Sequence, residues 1–228
     1  MWRKVRVALL GALSIAVGCE PNGEAGEEVV QPDPASVLFA LEERLTEAER
    51  VEVEFHITAE GAVEVDLRGG LVVSVEDEVH LTAEGIFAGQ PVELFLVRDG
   101  LEYEFGNASD RTSASPPEYL KEALLIGLTR MGILHNLAML SSGAPPDRSN
   151  GGVREWVTLD GFSSRGLVGE AGGPTGIAFR LTVAGIPSGT AEVDLTADGL
   201  LAERRQTVEF PEGEMRVVER YGSFVVDP

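Results

Sequence analysis

The sequence predicts an α+β domain: one antiparallel sheet with helices packed on its apolar face. Three observations predict it. Apolar and charged residues alternate with period two over residues 51–81 and again over 177–226, as in strands with one dry and one wet face. A helical period runs ahead of the first stretch, and a far more apolar helical segment divides the two. Alternation this clean argues against a parallel α/β core, whose strands are apolar on both faces.

The chain opens with the charged segment Trp2-Arg3-Lys4-Val5-Arg6, an uncharged apolar run of 11 residues over 7–17, and Ile15-Ala16-Val17-Gly18 ahead of Cys19. This is the three-part layout of a secretory signal. The run is too short for the roughly 20 residues a membrane-crossing helix needs. The four residues before Cys19 resemble the lipobox of bacterial lipoproteins, with Ala16 where leucine is commoner. That resemblance implies removal of residues 1–18 as a signal peptide and lipidation of Cys19, which anchors the chain to a membrane. Cys19 is the only cysteine, so no intramolecular disulfide can form, and acylation gives the lone thiol a role. Glu20 is not the aspartate that retains many lipoproteins at the inner membrane, so the expected address is the cell envelope, at the outer membrane facing the periplasm.

Residues 19–34 then form the lipidated cysteine and an acidic tether. EPNGEAGEEVVQPDP offers almost nothing to a core, the composition of a disordered linker, and about 15 such residues reach roughly 20 Å. A single domain is expected over 35–228. Asp33 and Pro34 signal a helix start, followed by the stripe Val37, Leu38, Leu41, Leu45 and Ala48. From Val51 the period becomes two: Val51, Val53, Phe55 and Ile57, then Val63, Val65 and Leu67, then Leu71, Val73 and Val75, then Val79 and Leu81. Residues 91–97 and 101–105 read as a hairpin turning at Arg98-Asp99-Gly100, and 106–115 as a polar, flexible loop. Ser115 and Pro116-Pro117 signal a second helix running to about Ser142. It has little polar face, so it is buried on most sides, with Gly127 and Gly132 as sites for a bend. A turn-rich loop spans 143–152. Strands follow at 155–159, 162–168, 177–183, 190–196, 201–210 and 214–226, with turns at Asp198-Gly199 and Glu212-Gly213.

The full chain carries 18 basic and 38 acidic residues, a formal charge of −20. Loss of Arg3, Lys4 and Arg6 with the signal brings the mature charge to −23. A surface this acidic disfavours nucleic acid as a partner.

No nucleophile elbow, zincin motif, P-loop or dinucleotide-binding glycine fingerprint is present, so no enzyme activity and no cofactor are expected. His56 and His80 share the charged parity of their strands and could be neighbours on the outer face, a solvated pair more than a metal site. His135 falls within the apolar helix, as a ligand contact or pH-sensitive group or, more often for such a histidine, as a satisfied core residue or one pointing to a wet edge. Asn107-Ala108-Ser109 matches a glycosylation sequon with no use on a bacterial lipoprotein. The carboxylates alternate along strands and are not gathered in one calcium loop. Ile86 and Phe87, between Gly85 and Gly89, are either a loop that touches membrane or partner or strand residues beside a bulge.

The order of signal, cysteine, acidic tether, amphipathic helix, strands, apolar helix and further strands resembles the superfamily of the lipoprotein-localisation factors LolA and LolB and the mycobacterial glycolipid-binding lipoproteins LppX and LprG. The stretches VHLTAEGIFAGQPVELFLVRDGLEYEF and TADGLLAERRQTVEFPEGEMRVVERYGSF carry the likeness. It implies a LolA/LolB-like incomplete antiparallel β-barrel of about eleven strands whose open side is covered by helices. It also implies a monomer with a cavity for lipid or for the acyl chains of lipoproteins. The candidate wall is Val51, Val53, Phe55, Val63, Val65, Leu67, Leu71, Val73, Leu94 and Leu96, with Leu124, Leu128 and Met131 contributed by the second helix. The same residues would equally make a sealed core, leaving an interaction lipoprotein without a lipid ligand. Tethering through Cys19 fits a receiver or holder better than a soluble shuttle.

Overall fold

A computed structural model describes residues 32–75, 78–99, 101–144, 152–165, 176–210 and 213–227, without the side chains of Asp99 and Phe210. The expected signal peptide, Cys19 and most of the tether lie outside the described residues.

Helix α1 (Pro34–Glu47) starts as its sequence signals require. The Asp33 carboxylate accepts from the Ser36 amide at 3.1 Å, and Pro34 occupies the first turn, where its missing N–H costs nothing. The stripe Leu38, Leu41 and Leu45 is buried. The strands follow as β1 (Arg50–Gly61), β2 (Val65–Ser74), β3 (Val79–Phe87), β4 (Gln90–Asp99), β5 (Glu102–Asn107) and β6 (Arg111–Ala114). Helices α2 (Leu120–Arg130), α3 (Ile133–Ser141) and α4 (Val153–Trp156) come next. The chain ends in β7 (Val157–Arg165), β8 (Gly176–Val183), β9 (Ile186–Leu195), β10 (Leu201–Phe210) and β11 (Gly213–Asp227).

All eleven strands join one antiparallel sheet in the order β6-β5-β4-β3-β2-β1-β11-β10-β9-β8-β7. The first and last strands of the chain's sheet, β1 and β11, are central partners, and among the described residues β6 and β7 are its two edges. Helix α3 touches β4 and β5 on one side and borders the inner face of β8–β11 on the other. In a flat sheet β4 and β8 would lie about 34 Å apart at ~4.8 Å per strand. A single helix is only about 10–12 Å across. The sheet therefore curls round α3 without closing, which is the open half-barrel that the resemblance implied. Helix α1 packs on α2 and along the edge strand β7, where Phe39 meets Phe162 edge-on at 5.8 Å.

Several local expectations change. Ser115 does not cap the second helix; the helix begins at Leu120, after Tyr119. The reason is local, since a residue before proline is pushed out of the α region, and this applies both to Ser115 before Pro116 and to Pro116 before Pro117. The single long helix is two, broken at Gly132 with φ 84° and ψ 167°. Residues 106–115 are not all loop: they continue β5 and supply β6, whose four residues are all exposed. Over the described residues, the strands expected at 155–159 and 162–168 are one bulged strand, β7, preceded by the short helix α4; 166–168 lie outside the described residues. Val63 lies in the turn between β1 and β2, and Leu101 in the β4–β5 turn, where it is 92% exposed.

Candidate ligand cavity

On β8, β10 and β11 the dry parity presents Leu181 and Val183, Gln206 and Val208, and Met215 and Val217 to the interior. Opposite them stand Met131 at the end of α2 and Leu134, His135 and Ala138 on one face of α3. Between the two layers lies a cavity of about 350 Å³, lined on the β9 side by Ser188. Its wall is apolar apart from His135, Ser188 and Gln206. Alanine, serine and valines leave this space. The His135 ring packs on Trp156 at 5.5 Å between centroids. Ser188 donates its hydroxyl to the Ile186 carbonyl at 2.9 Å.

The helix break that sets this wall is held by a charged pair on the inner face of the sheet. Arg204 of β10 and Glu219 of β11 are register partners, and both are fully buried. The Arg204 guanidinium donates to the Arg130 carbonyl at 2.6 Å, at the C-terminus of α2. The Glu219 carboxylate accepts from the Ile133 and Leu134 amides, both at 2.9 Å, at the N-terminus of α3. Each charge thus meets the helix end whose dipole it complements and supplies partners to groups that a helix end leaves unpaired. Tyr221 adds a hydrogen bond to Glu219 at 2.6 Å. Burial, reinforced by the adjacent Glu219 charge, pushes the Tyr221 hydroxyl well above its ordinary pKa, so it stays a donor. Burial also pulls the Arg204 guanidinium down, against the opposing pull of Glu219.

Glycine is required at the break. Its conformation is one that side-chain-bearing residues avoid, and a Cβ on Gly132 would sit 2.4 Å from a Glu219 carboxylate oxygen. Gly132→Ala is expected to cost about 1–3 kcal/mol from backbone strain alone, read as a lowered thermal midpoint in calorimetry.

A second buried pair ties α1 to α2. Arg130 donates through Nε and Nη2 to the two oxygens of Glu42 at 2.7 and 2.8 Å, and Thr129 donates to the same carboxylate at 3.0 Å. The remaining Arg130 terminal nitrogen reaches the Val157 carbonyl at 2.6 Å.

The residues that the sequence nominated are distributed differently. Met131 borders the cavity. Val51, Val53, Phe55, Val65, Leu67, Leu71, Val73, Leu94, Leu96, Leu124 and Leu128 are buried members of the packed core, with Val63 half-buried against it, and none of them borders this cavity. The apolar space lies under the other half of the sheet; in the β1–β4 half Val53, Ile57, Leu67, Leu71, Leu81, Leu94 and Leu96 fill the interior, and Phe55 covers the gap at Gly69. Ile86 and Phe87 are the last residues of β3, not a loop; Ile86 is exposed and Phe87 packs partly against the core. His56 and His80 are not neighbours. His56 lies opposite Arg68 and Arg220 and bonds Asp66 at 2.9 Å, whereas His80 lies opposite Val72 and Val97. Among the described residues no cluster of three His, Cys, Asp or Glu could hold a metal, and no helix is long and apolar enough to cross a membrane.

No family model and no curated protein matches the sequence. Among solved structures, the chain is similar to the Mycobacterium tuberculosis lipoprotein LppX, with 14% identity and a TM-score of 0.42 over 85% of this chain and 96% of that one. It is also similar to the LolA superfamily protein NE2245 of Nitrosomonas europaea, with 9% identity and a TM-score of 0.36 over 86% and 94%. A third likeness is to LprF of Mycobacterium bovis, with 11% identity and a TM-score of 0.35 over 86% and 97%.

Proposed function

We propose that this chain is a membrane-tethered lipoprotein of the cell envelope that holds an acyl chain, of a lipid or of an acylated protein, in the cavity between α3 and β8–β11. The observation that carries this reading is the cavity itself: about 350 Å³ lined by Met131, Leu134, Ala138, Leu181, Val183, Val208, Met215 and Val217, with three polar side chains. Its size falls at the lower end of the roughly 300–1,000 Å³ usual for small-molecule sites. Each methylene moved there from water is worth about 0.8 kcal/mol. Roughly ten of them release about 8 kcal/mol, enough to outweigh part or all of the several kcal/mol lost on immobilising the ligand. Lipidation of Cys19 keeps the cavity near an outer membrane facing the periplasm, a place to receive or hold acyl groups in lipoprotein or lipid localisation. The acidic outer surface stays in water.

The test uses the full chain with Cys19→Ser, so that no acyl group of its own competes. Native mass spectrometry of the protein as purified, and titration of the delipidated protein with a fluorescent fatty acid, should both report one bound acyl chain. Ala138→Phe, which fills the space from α3, should cut uptake at least tenfold with the thermal midpoint unchanged or raised. Absence of bound lipid together with absence of uptake would leave a closed-core interaction lipoprotein as the reading.

A further inference from the structure

The acyl reading leaves open what part of an acylated molecule enters the cavity. Gln206 is the polar side chain on its β10 wall, and Arg204, two residues earlier on the same inner face, donates to the Gln206 Oε1 at 2.7 Å. Arginine has no acceptor, so this bond fixes the amide orientation: Oε1 faces Arg204, and the Nε2 hydrogens form the free end. No hydrogen bond from Nε2 to a described residue exists to compete with a ligand. Behind it, Arg204 is wholly buried, and its Nε has no hydrogen-bond partner among the described residues. Arg204 is faced by Glu219 in register and does not line the cavity, so the donor offered to a ligand there is the Gln206 amide, and a buried donor without a partner is costly.

Resting on the acyl-binding reading, we propose that Gln206, oriented by Arg204, donates to a carbonyl or carboxylate oxygen of the ligand, so the cavity selects acyl groups over plain hydrocarbon. An ester or carboxylate fits because it offers acceptors only. An alkane offers none and leaves the amide dry and unpaired. Gln206 is then the specificity-determining residue, and Arg204 positions it.

The experiment compares delipidated full-length Cys19→Ser protein with its Gln206→Glu and Gln206→Leu variants. Hexadecanoate, methyl hexadecanoate and hexadecane delivered from cyclodextrin displace the fluorescent fatty acid. The parent should bind both carbonyl ligands about tenfold or more tightly than hexadecane, the ratio expected for one buried hydrogen bond. Gln206→Glu keeps an acceptor for Arg204 but presents no donor, so hexadecanoate should weaken most and the ester preference should vanish. Gln206→Leu should make the ester and the alkane equivalent while retaining the alkane. An ester preference that survives both substitutions, or an equal loss of all three ligands in variants with parental thermal midpoints, overturns the assignment to Gln206. If the parent binds none of the three, the acyl-binding reading fails with it.

Discussion

Glu219→Ala is expected to lower the unfolding free energy by about 3–5 kcal/mol, the range for leaving a buried charge without its partner. Its carboxylate is fully buried and receives the Ile133 and Leu134 amides and the Tyr221 hydroxyl. Removing it orphans those donors and strips Arg204 of the negative charge opposite it in register. In a domain of this size each kcal/mol moves the thermal midpoint by roughly 2–4 °C, so calorimetry will read the loss directly. Gln at 219 keeps the shape and one acceptor, and should fall between alanine and the parent. A change within 0.5 kcal/mol would mean that the helix break does not depend on the clamp.

Glu42→Ala should cost a similar amount for a different reason. Arg130 is 6% exposed and its Nε and Nη2 both point at Glu42, so alanine leaves a cation whose hydration the packed helices prevent. Replacing the pair together, as Glu42→Leu with Arg130→Met, should recover most of the loss, because buried pairs exchanged for apolar residues of like volume are often neutral. Denaturant titration of both single variants and the double measures the coupling. Additive losses in the double would show that the pair does not act as a unit.

The fold was legible where side chains alternate and obscure where they do not. β1 to β3 could be read from Val51, Val53, Phe55, Leu67, Leu71 and Leu81, because one buried face forces period two. β6 left no such trace: an edge strand exposed on both faces has nothing to alternate. The break at Gly132 was visible as a place to bend, but its partner is 87 positions away on another strand, and local spacing carries no information at that range. The signal that could have found it is a charge on the dry parity: Glu219 falls between Val217 and Tyr221 on the buried side of β11. The cavity was harder still. Evenly apolar strands suggested a wall in β1–β4, yet evenly apolar strands are what fills a core. Space appears instead where Ala138, Ser188 and Gln206 interrupt the large residues, whereas the gap that Gly69 leaves in the other half is covered by Phe55, so what fills a small residue's place decides, and that is a contact between strands.

The pairing of Arg204 with Glu219 also acts on strand alignment. Sliding β10 against β11 by one residue would reverse which side each of its side chains faces, carrying Arg205 inward and Arg204 into water. Glu219 would then be shut inside with no cation, and Arg205 would leave the carboxylates of Glu192 and Asp194 that it meets on the outer face. Only the observed alignment buries one charge of each sign side by side. The buried apolar face already fixes a strand pair's register; here a buried charge of each sign is added to that constraint, and the same two residues that seat the helices keep the sheet from settling in the wrong register.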